Sequence, residues 1–156
     1  MITLTPMTRD DIDELETALT VFLAAITTKQ SELTFNAKDM ALEHLDHPDC
    51  ISYWIETSFD RVGFALIETD GPTNWDLCEF SIFPQFRRRG LGRQAVHHLV
   101  TTHPGEWELA VVSEPRSSRK FWASCLADYP NLRKGPPFTE FQCHSYSFTS
   151  PEPEHD

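Results

Sequence analysis

Apolar residues in the first part of the chain recur with two distinct periods, which separate a strand from a helix. Alternation over the letters ITLTPM predicts a first strand near the N-terminus. The segment that follows begins at Thr8, a suitable helix N-cap, and continues with acidic residues that favour the first turn of a helix. Its apolar residues follow helical spacing and predict one buried face, formed by Ile12, Leu15, Leu19, Phe22 and Leu23.

The middle of the chain predicts a second helix and then three consecutive strands. A polar stretch over 27–36 predicts a loop, after which Asn36 or Asp39 begins the helix and Pro48 ends it. The first two strands meet near Asp60–Arg61 and are expected to form a hairpin. The three predicted strands cover residues 50–59, 61–70 and 75–83.

Helices and strands alternate in the rest of the chain, so the predicted order is β-α-α-β-β-β-α-β-α-β. Three strands in succession exclude a simple doubly wound sheet, and we expect an α+β fold in which helices flank a mixed sheet. The length predicts one domain over 1–150 with a disordered tail over 151–156. The later elements are a helix over 91–103, a strand over 106–112, a helix over 117–129 and a strand over 138–148.

The composition is that of an acidic globular protein. The chain has 156 residues, 40% of them hydrophobic, and a net charge of -11. Residues 1–80 hold 16 acidic and 4 basic side chains, which disfavours nucleic acid as a partner and favours a cationic substrate, although acidity also serves solubility. The sequence has no apolar run of membrane-spanning length and no signal-peptide pattern, so we expect a cytoplasmic protein with no membrane partner.

The letters HLDHPDC place His44, His47 and Cys50 at intervals that suit zinc ligands. However, Pro48 interrupts the helical geometry of this segment, and no second half-site accompanies it. We therefore expect a polar helix end there and no metal ion. None of the four cysteines belongs to a C-x-x-C pair, which indicates reduced thiols.

The letters FRRRGLGR gather four arginines and two glycines between a predicted strand and a predicted helix. The first N–H groups of a helix have no partner within it, and the helix dipole adds positive potential there, so such a turn binds anions. Glycines allow close approach of a phosphate, and arginines add bidentate contacts. A pyrophosphate site is the specific interpretation of this pattern, and a solvated basic turn is the general one.

Three phosphate-binding patterns can be compared with this turn. A P-loop is excluded because no lysine follows the glycines. The letters GLGRQA over 90–95 match a dinucleotide fingerprint of the form G-x-G-x-x-A, but in that fold the strand runs directly into the first glycine, and Pro84 intervenes here. The third pattern, R/Q-x-x-G-x-G/A, matches residues 87–92.

The stretch FSIFPQFRRRGLGRQAV resembles the acetyl-CoA-binding motif of the GCN5-related N-acetyltransferase (GNAT) superfamily, and most of all its small bacterial members. The later Phe121-Trp122 matches a Phe-Tyr or Phe-Trp pair in that superfamily, and the similarity covers 75–130. It implies a mostly antiparallel mixed sheet with splayed central strands, and acetyl transfer from acetyl-CoA to the primary amine of a small molecule. A coenzyme A-binding module without catalysis and a protein or peptide N-acetyltransferase stay open as alternatives, and a homodimer is compatible with the family.

The resemblance implies two sets of contacts with coenzyme A. The pantetheine arm is expected to pair with the backbone of the preceding strand at Phe80, Ser81, Ile82 and Phe83. Backbone amides of the turn are expected to hold the pyrophosphate, with Arg87 at the head of the motif. These amides belong to Arg88, Arg89, Gly90, Leu91, Gly92 and Arg93.

Two carboxylates are candidates for the base that deprotonates the amine. Apolar neighbours of Glu79 are expected to raise its pKa into a useful range, and Asp76 matches the position of the catalytic glutamate in the histone-acetylating branch. Their positions differ by three, so a regular strand would place them on opposite faces, and we expect them not to act together. Trp122 stands where many members have a tyrosine as general acid, which leaves Tyr129, water or no acid for that role.

Overall fold

A computed structural model describes residues 1–26 and 36–152 of the chain. Its strands are β1 (Thr3–Pro6), β2 (Cys50–Glu56), β3 (Arg61–Thr69), β4 (Asn74–Ile82), β5 (Glu106–Val112), β6 (Arg133–Gly135) and β7 (Gln142–Thr149). Its α-helices are α1 (Ile12–Ile26), α2 (Ala37–Asp46), α3 (Leu91–Thr102) and α4 (Ser117–Leu126). Within the described ranges, no helix has both the length and the apolar character that a membrane span requires.

All seven strands form one sheet in the order β1-β2-β3-β4-β5-β7-β6. Every neighbouring pair is antiparallel except β4 and β5, which run parallel at the centre. The expected α+β fold with a mixed, mostly antiparallel sheet is therefore confirmed. The parallel pair matters most for function, because the segment that joins its strands carries the arginine and glycine turn and α3.

The predicted elements are present, with one addition and a few shifted ends. β6 has three residues and pairs with the edge of β7, a length too short to show alternation in the sequence. α4 ends at Leu126 and not at the predicted 129. The predicted loop lies outside the described residues over 27–35, and so does the predicted tail over 153–156.

Local hydrogen bonds explain where the first two helices begin. Thr8 precedes a 3₁₀ turn that leads into α1, and its N–H donates to the Asp11 carboxylate at 2.7 Å. The Asn36 side chain accepts from the N–H of Asp39 at 3.1 Å, which identifies Asn36 as the N-cap of α2. Asn36 thus supplies an acceptor to an N–H group that has no partner within α2, whereas the contact with Asp11 satisfies the N–H of Thr8 itself. Both contacts are typical of helix N-termini.

Helices cover the two faces of the sheet at different places. On one face α1 and α2 pack over β2 and β3, and we call this the α1–α2 face; its buried residues are Leu15, Leu19, Ala41, Trp54, Phe64 and Leu66. On the other face α3 and α4 pack over the centre of the sheet. The buried residues there include Ala65, Ile67, Leu77, Val96, Leu99, Trp107, Leu109 and Leu126.

Candidate active site

A slot opens between β4 and β5 at the centre of the sheet. The two strands pair only at Asn74–Glu106, Trp75–Trp107 and Asp76–Glu108, although β4 continues to Ile82 and β5 to Val112. Beyond the third pair, each strand therefore presents backbone groups to the slot without a partner from the other. The splayed central strands that the family resemblance implies are thus confirmed, and their unpaired edges can bind another extended chain.

The closed end of the slot is fixed by a close backbone contact. The N–H of Glu106 donates to the carbonyl oxygen of Thr73 at 2.8 Å. A Cβ on Gly105 would lie 2.2 Å from the same oxygen, and the φ angle of Gly105 is +146°. Only glycine can occupy this position without displacing the start of β4.

β4 contains a β-bulge beside the slot. Leu77 pairs with Ile67 of β3, and Glu79 pairs with Leu66. The two partners are adjacent in β3, whereas Leu77 and Glu79 are two positions apart in β4. Cys78 is therefore an extra residue with no partner of its own. A bulge of this kind re-aims the side chains that follow it, because it reverses the alternation between the two faces of the sheet.

The bulge brings the two candidate carboxylates to the same face. Asp76 pairs with Glu68, and Glu79 pairs with Leu66. Leu66 is buried on the α1–α2 face, and Glu68, two positions further along β3, lies on that same face. Their partners Asp76 and Glu79 therefore lie on it as well. The expectation that Asp76 and Glu79 lie on opposite faces is therefore wrong, because it assumed a regular strand.

The surroundings of Asp76 and Glu79 disfavour their charged forms. Burial raises the pKa of Glu79 to about 8, and the charge of Asp76 adds to that shift. Burial also raises the pKa of Asp76 to about 6, with further contributions from Glu108 and Glu68. The direction for Glu79 agrees with the sequence expectation. A carboxyl that titrates near neutral pH suits proton transfer.

The arginine and glycine turn presents free backbone donors. Arg88 and Gly90 adopt left-handed conformations, with φ angles of +67° and +74°. Within the described part of the chain, the N–H groups of residues 88–93 donate to no protein acceptor. Successive free N–H groups at a turn and a helix start form an anion-binding concavity, and α3 begins here at Leu91. The turn therefore has the geometry of a phosphate cradle.

The two glycines of the turn have different roles. Gly90 is required for its left-handed conformation, and the space beside it is open, with only the Gln94 side chain 3.9 Å from a built Cβ. A Cβ on Gly92 would lie 2.7 Å from Cε1 of Phe121. Gly92 therefore permits α3 to approach α4 closely, a role that the sequence motif does not reveal.

The four arginines of the turn also divide into two groups. The Arg87 Nε donates to the carbonyl oxygen of Ile82 at 2.8 Å, and Arg93 donates to the Ser124 hydroxyl at 2.5 Å. These two side chains stabilise the turn and its contact with α4. Arg88 and Arg89 have no such hydrogen bond or ion pair among the described residues, and the Arg89 guanidinium lies 5.8 Å from the centre of the Phe86 ring.

An aromatic cluster lines β4 on the face opposite the carboxylates. The Phe80 ring stacks on Phe121 at 6.1 Å and meets the edge of Trp122 at 5.5 Å between ring centres. Trp122 is 8% exposed. Tyr129 stacks on Phe148 at 5.2 Å, and burial raises its pKa to about 12, so it is a weak acid at neutral pH.

The histidine and cysteine cluster noted in the sequence forms the end of a helix. His47 is the C-cap of α2, and its Nδ1 accepts from the N–H of Asp49 at 3.1 Å. Cys50 begins β2, and its thiol is free. In residues 1–26 and 36–152, no three His, Cys, Asp or Glu side chains are grouped so that they could hold a metal ion.

Comparisons with known proteins agree with this geometry. The family sequence model of the acetyltransferase (GNAT) family matches residues 16–126 of this chain. The fold is similar to an acetyltransferase from Thermus thermophilus (TM-score 0.72, 16% identity, 96% of this chain and 97% of that one). It is also similar to the PaiA N-acetyltransferase of Thermoplasma acidophilum in complex with coenzyme A (TM-score 0.66, 10% identity, covering 96% of this chain and 99% of that one).

A third similar structure is the ribosomal-protein-S18-alanine N-acetyltransferase of Escherichia coli (TM-score 0.62, 14% identity, 100% of this chain and 98% of that one). At these identities the structural matches establish the fold and leave the acceptor open. A comparison with curated protein sequences gives no match.

Proposed function

This chain belongs to the GNAT family of acetyltransferases, and from that premise we propose that it transfers the acetyl group of acetyl-CoA to the primary amine of a small molecule. The observation that carries the proposal is the set of free N–H groups at 88–93, next to the open slot between β4 and β5. We place the whole activity in one domain over residues 1–150.

The residues of the turn and the slot suit coenzyme A. Free amides and the unpaired guanidinium groups of Arg88 and Arg89 suit a diphosphate. The pantetheine arm contains amides, which match backbone groups along Phe80–Phe83, where β5 supplies no partner. Two groups of this segment are already bonded within the protein, since the Ile82 carbonyl oxygen accepts from Arg87 and the Phe83 N–H donates to Val62. The side chains of this segment are already engaged, since Phe80 packs on α4 and Ser81 is buried. Recognition along the slot would therefore rely on main-chain groups.

Glu79 is the proposed general base. An alkylamine is mostly protonated at neutral pH, so it must lose a proton before it can act as a nucleophile. Glu79, with its raised pKa, would accept that proton directly or through water, and Asp76 would keep the pKa of Glu79 high by charge repulsion. When bound, acetyl-CoA supplies the thioester carbonyl carbon that the amine attacks. Unpaired N–H groups of β4 beyond Leu77 are available to a developing oxyanion.

No side chain is needed as a general acid in this proposal. The Trp122 indole does not release a proton at neutral pH, and the pKa of Tyr129 is raised to about 12. A thiol has a pKa of about 8.5, so a thiolate can leave and take its proton from solvent. Trp122 stands where many family members have a tyrosine as general acid, and its ring packs against Phe80. This replacement is the observation that favours the second candidate, a coenzyme A-binding module without catalysis.

Two measurements test the proposal. Calorimetry with acetyl-CoA should show binding to the wild-type protein, and the absence of binding to the folded protein at millimolar acetyl-CoA would contradict it. Thiol release should then be measured with a panel of small primary amines and short peptides. Release with small amines supports the proposed reaction, preference for peptides favours a protein N-acetyltransferase, and binding without release favours the non-catalytic module.

A further inference from the structure

Resting on the proposed acetyl transfer, we infer that Trp122 sets the length of the acyl group that the slot accepts. Its ring belongs to the aromatic cluster of Phe80, Phe121 and Trp122, which closes one side of the slot. The thioester lies against this cluster, and the cluster limits the donor to an acetyl group. Trp122 is therefore a specificity-determining residue for the acyl donor.

The three rings of the aromatic cluster all contact one another. The ring centres of Phe121 and Trp122 are 4.8 Å apart at an interplanar angle of 76°, and the Phe80 ring lies within 6.1 Å of both. Rings packed in this way hold one another in place. Trp122 is buried, whereas Phe80 and Phe121 are half-buried and so keep some surface that a ligand can contact.

The position of Phe80 in β4 places the aromatic cluster at the slot. The last pair between β4 and β5 is Asp76–Glu108, so Phe80 belongs to the stretch of β4 that β5 does not cover. The bulge at Cys78 directs Glu79 to the α1–α2 face and Phe80 to the face that α3 and α4 cover. The slot therefore has a carboxyl group on one side and aromatic rings on the other.

The direction of attack determines how the acyl group lies between these two sides. A nucleophile approaches a carbonyl carbon roughly perpendicular to the plane of the carbonyl group. Since the proposed base Glu79 lies on the α1–α2 face, the amine must arrive from that face. The plane of the thioester then lies nearly parallel to the sheet. Its other side faces the aromatic cluster, so the acyl group is enclosed between the amine and the rings.

The surroundings leave a longer acyl chain little space in any direction. The Asp76–Glu108 pair closes the slot at one end. On the side of the aromatic cluster, Leu77 and Leu109 are buried together with Trp122. The opposite side must stay open for the amine. Because protein interiors are packed so closely that one additional methylene group is felt, a longer chain would have to displace Trp122 or block the amine.

The helix that carries Trp122 is fixed against its neighbour. Gly92 of α3 lies against the Phe121 ring, and Arg93 donates to the Ser124 hydroxyl of α4. A longer acyl chain therefore cannot make room simply by pushing α4 aside. The indole of Trp122 does not release a proton at neutral pH, so the proposed reaction gives it no chemical step. Its bulk is the property that acyl selection uses.

The first test measures binding and needs no turnover. Calorimetry should give a Kd for butyryl-CoA that is about tenfold or more above the Kd for acetyl-CoA in the wild-type protein. Trp122→Leu removes roughly six non-hydrogen atoms, which leaves room for about two methylene groups. In this variant the ratio of the two Kd values should fall to about three or less. Trp122→Phe is a milder change, and it should lower the ratio about twofold to threefold.

Trp54→Leu is the matched control, because Trp54 is as deeply buried but packs beneath α1 and α2 on β2, which β3 separates from the slot. It should keep the wild-type ratio. Circular dichroism identifies the variants that fold, and Trp122→Phe keeps the test available if Trp122→Leu does not. Thiol release with each acyl-CoA and one amine should give kcat/KM ratios that change in the same direction.

The outcomes separate this inference from the proposed reaction. Equal Kd values for acetyl-CoA and butyryl-CoA in the wild-type protein would overturn the inference and leave acetyl transfer intact. An unchanged ratio in a folded Trp122 variant, or the same change in Trp54→Leu, would overturn it as well. Expected Kd ratios without thiol release would support the role of Trp122 and contradict the proposed transfer. If neither acyl-CoA binds, both proposals fail.

Discussion

Asp76 and Glu79 lie on one face of β4, and the charge of Asp76 helps to raise the pKa of Glu79 to about 8. The bulge residue Cys78 produces this relationship, because without it the two side chains would point to opposite sides of the sheet. Asp76, with a pKa of about 6, ionises first as pH rises, and Glu79 follows. Near neutral pH, one carboxylate is therefore mainly charged and the other mainly protonated.

Glu79→Gln should abolish most turnover and retain acetyl-CoA binding. The amide has nearly the shape of the carboxyl but cannot accept a proton, and a positioned general base contributes about 10²–10⁴-fold to rate. We expect kcat to fall by about that factor while the Kd for acetyl-CoA changes less than twofold. Steady-state thiol release and calorimetry measure the two quantities. Turnover at the wild-type rate would exclude Glu79 as the base.

Asp76→Asn should move the pH profile of the reaction to lower pH. In the wild-type protein, kcat/KM should rise with pH as Glu79 ionises, with an inflection near 8. Removal of the neighbouring charge makes ionisation of Glu79 easier, so the inflection should fall by about half a unit or more. The profile should be recorded between pH 6 and pH 9.5 with both proteins, using an acceptor whose own pKa lies above that range. An unchanged inflection would show that Asp76 does not act on the base.

Glu79 should also make stability depend on pH. Its pKa in the folded protein is raised above the value of about 4.3 expected in the unfolded chain, so the folded state holds the proton more tightly. The contribution of this group to stability is therefore fully present below about pH 4.3 and is lost as pH rises through 8. Glu79→Gln should raise Tm by about 3–6 °C at pH 9 and by clearly less at pH 5. Thermal unfolding followed by circular dichroism measures both values, and equal differences at the two pH values would contradict the assignment.

Two glycine substitutions in the turn should have different effects. Gly92→Ala places a Cβ 2.7 Å from the Phe121 ring and should destabilise the fold by about 1–3 kcal/mol, because α3 and α4 must separate. Gly90→Ala meets open space, and its cost of about 1–2 kcal/mol comes from the left-handed backbone.

The double variants Gly92→Ala/Phe121→Leu and Gly90→Ala/Phe121→Leu separate the two causes. A smaller side chain at 121 should recover part of the loss at Gly92 and none of the loss at Gly90. Urea unfolding of the wild-type protein, the three single variants (Gly92→Ala, Gly90→Ala and Phe121→Leu) and the two double variants gives the six free energies that these comparisons need. The same recovery at both glycines would show that contact with Phe121 is not what Gly92 provides.

The sequence predicts the strand, the turn and the helix start around residues 80–93 because their determinants are local. Alternating strand residues, Pro84 and the letters FRRRGLGR stand next to one another in the chain, and the backbone they specify needs no distant partner. The order of the longer strands and helices could be predicted for the same reason, and of the two candidates for the start of α2 the structure selects Asn36. The splayed strands were implied by the family resemblance.

The features that the sequence does not reveal depend on partners far along the chain. The bulge at Cys78 exists only in relation to the register of β3, and no residue type at 76–79 signals it. Likewise, Gly92 owes its role to Phe121 on another helix. Asp76 has Glu68 and Glu108 as its partners on the neighbouring strands, and these carboxylates become neighbours only when the strands pair.

The free amides at 88–93 make donor recognition a property of the peptide backbone, which most side-chain replacements leave unchanged. Handling of the acceptor, in contrast, is proposed to depend on side chains, those of Asp76 and Glu79 on the α1–α2 face. Random mutation of the side chains around Asp76 and Glu79 should therefore change the acceptor more readily than the donor. Such a scaffold is a convenient starting point for directed evolution of new acetylation specificities.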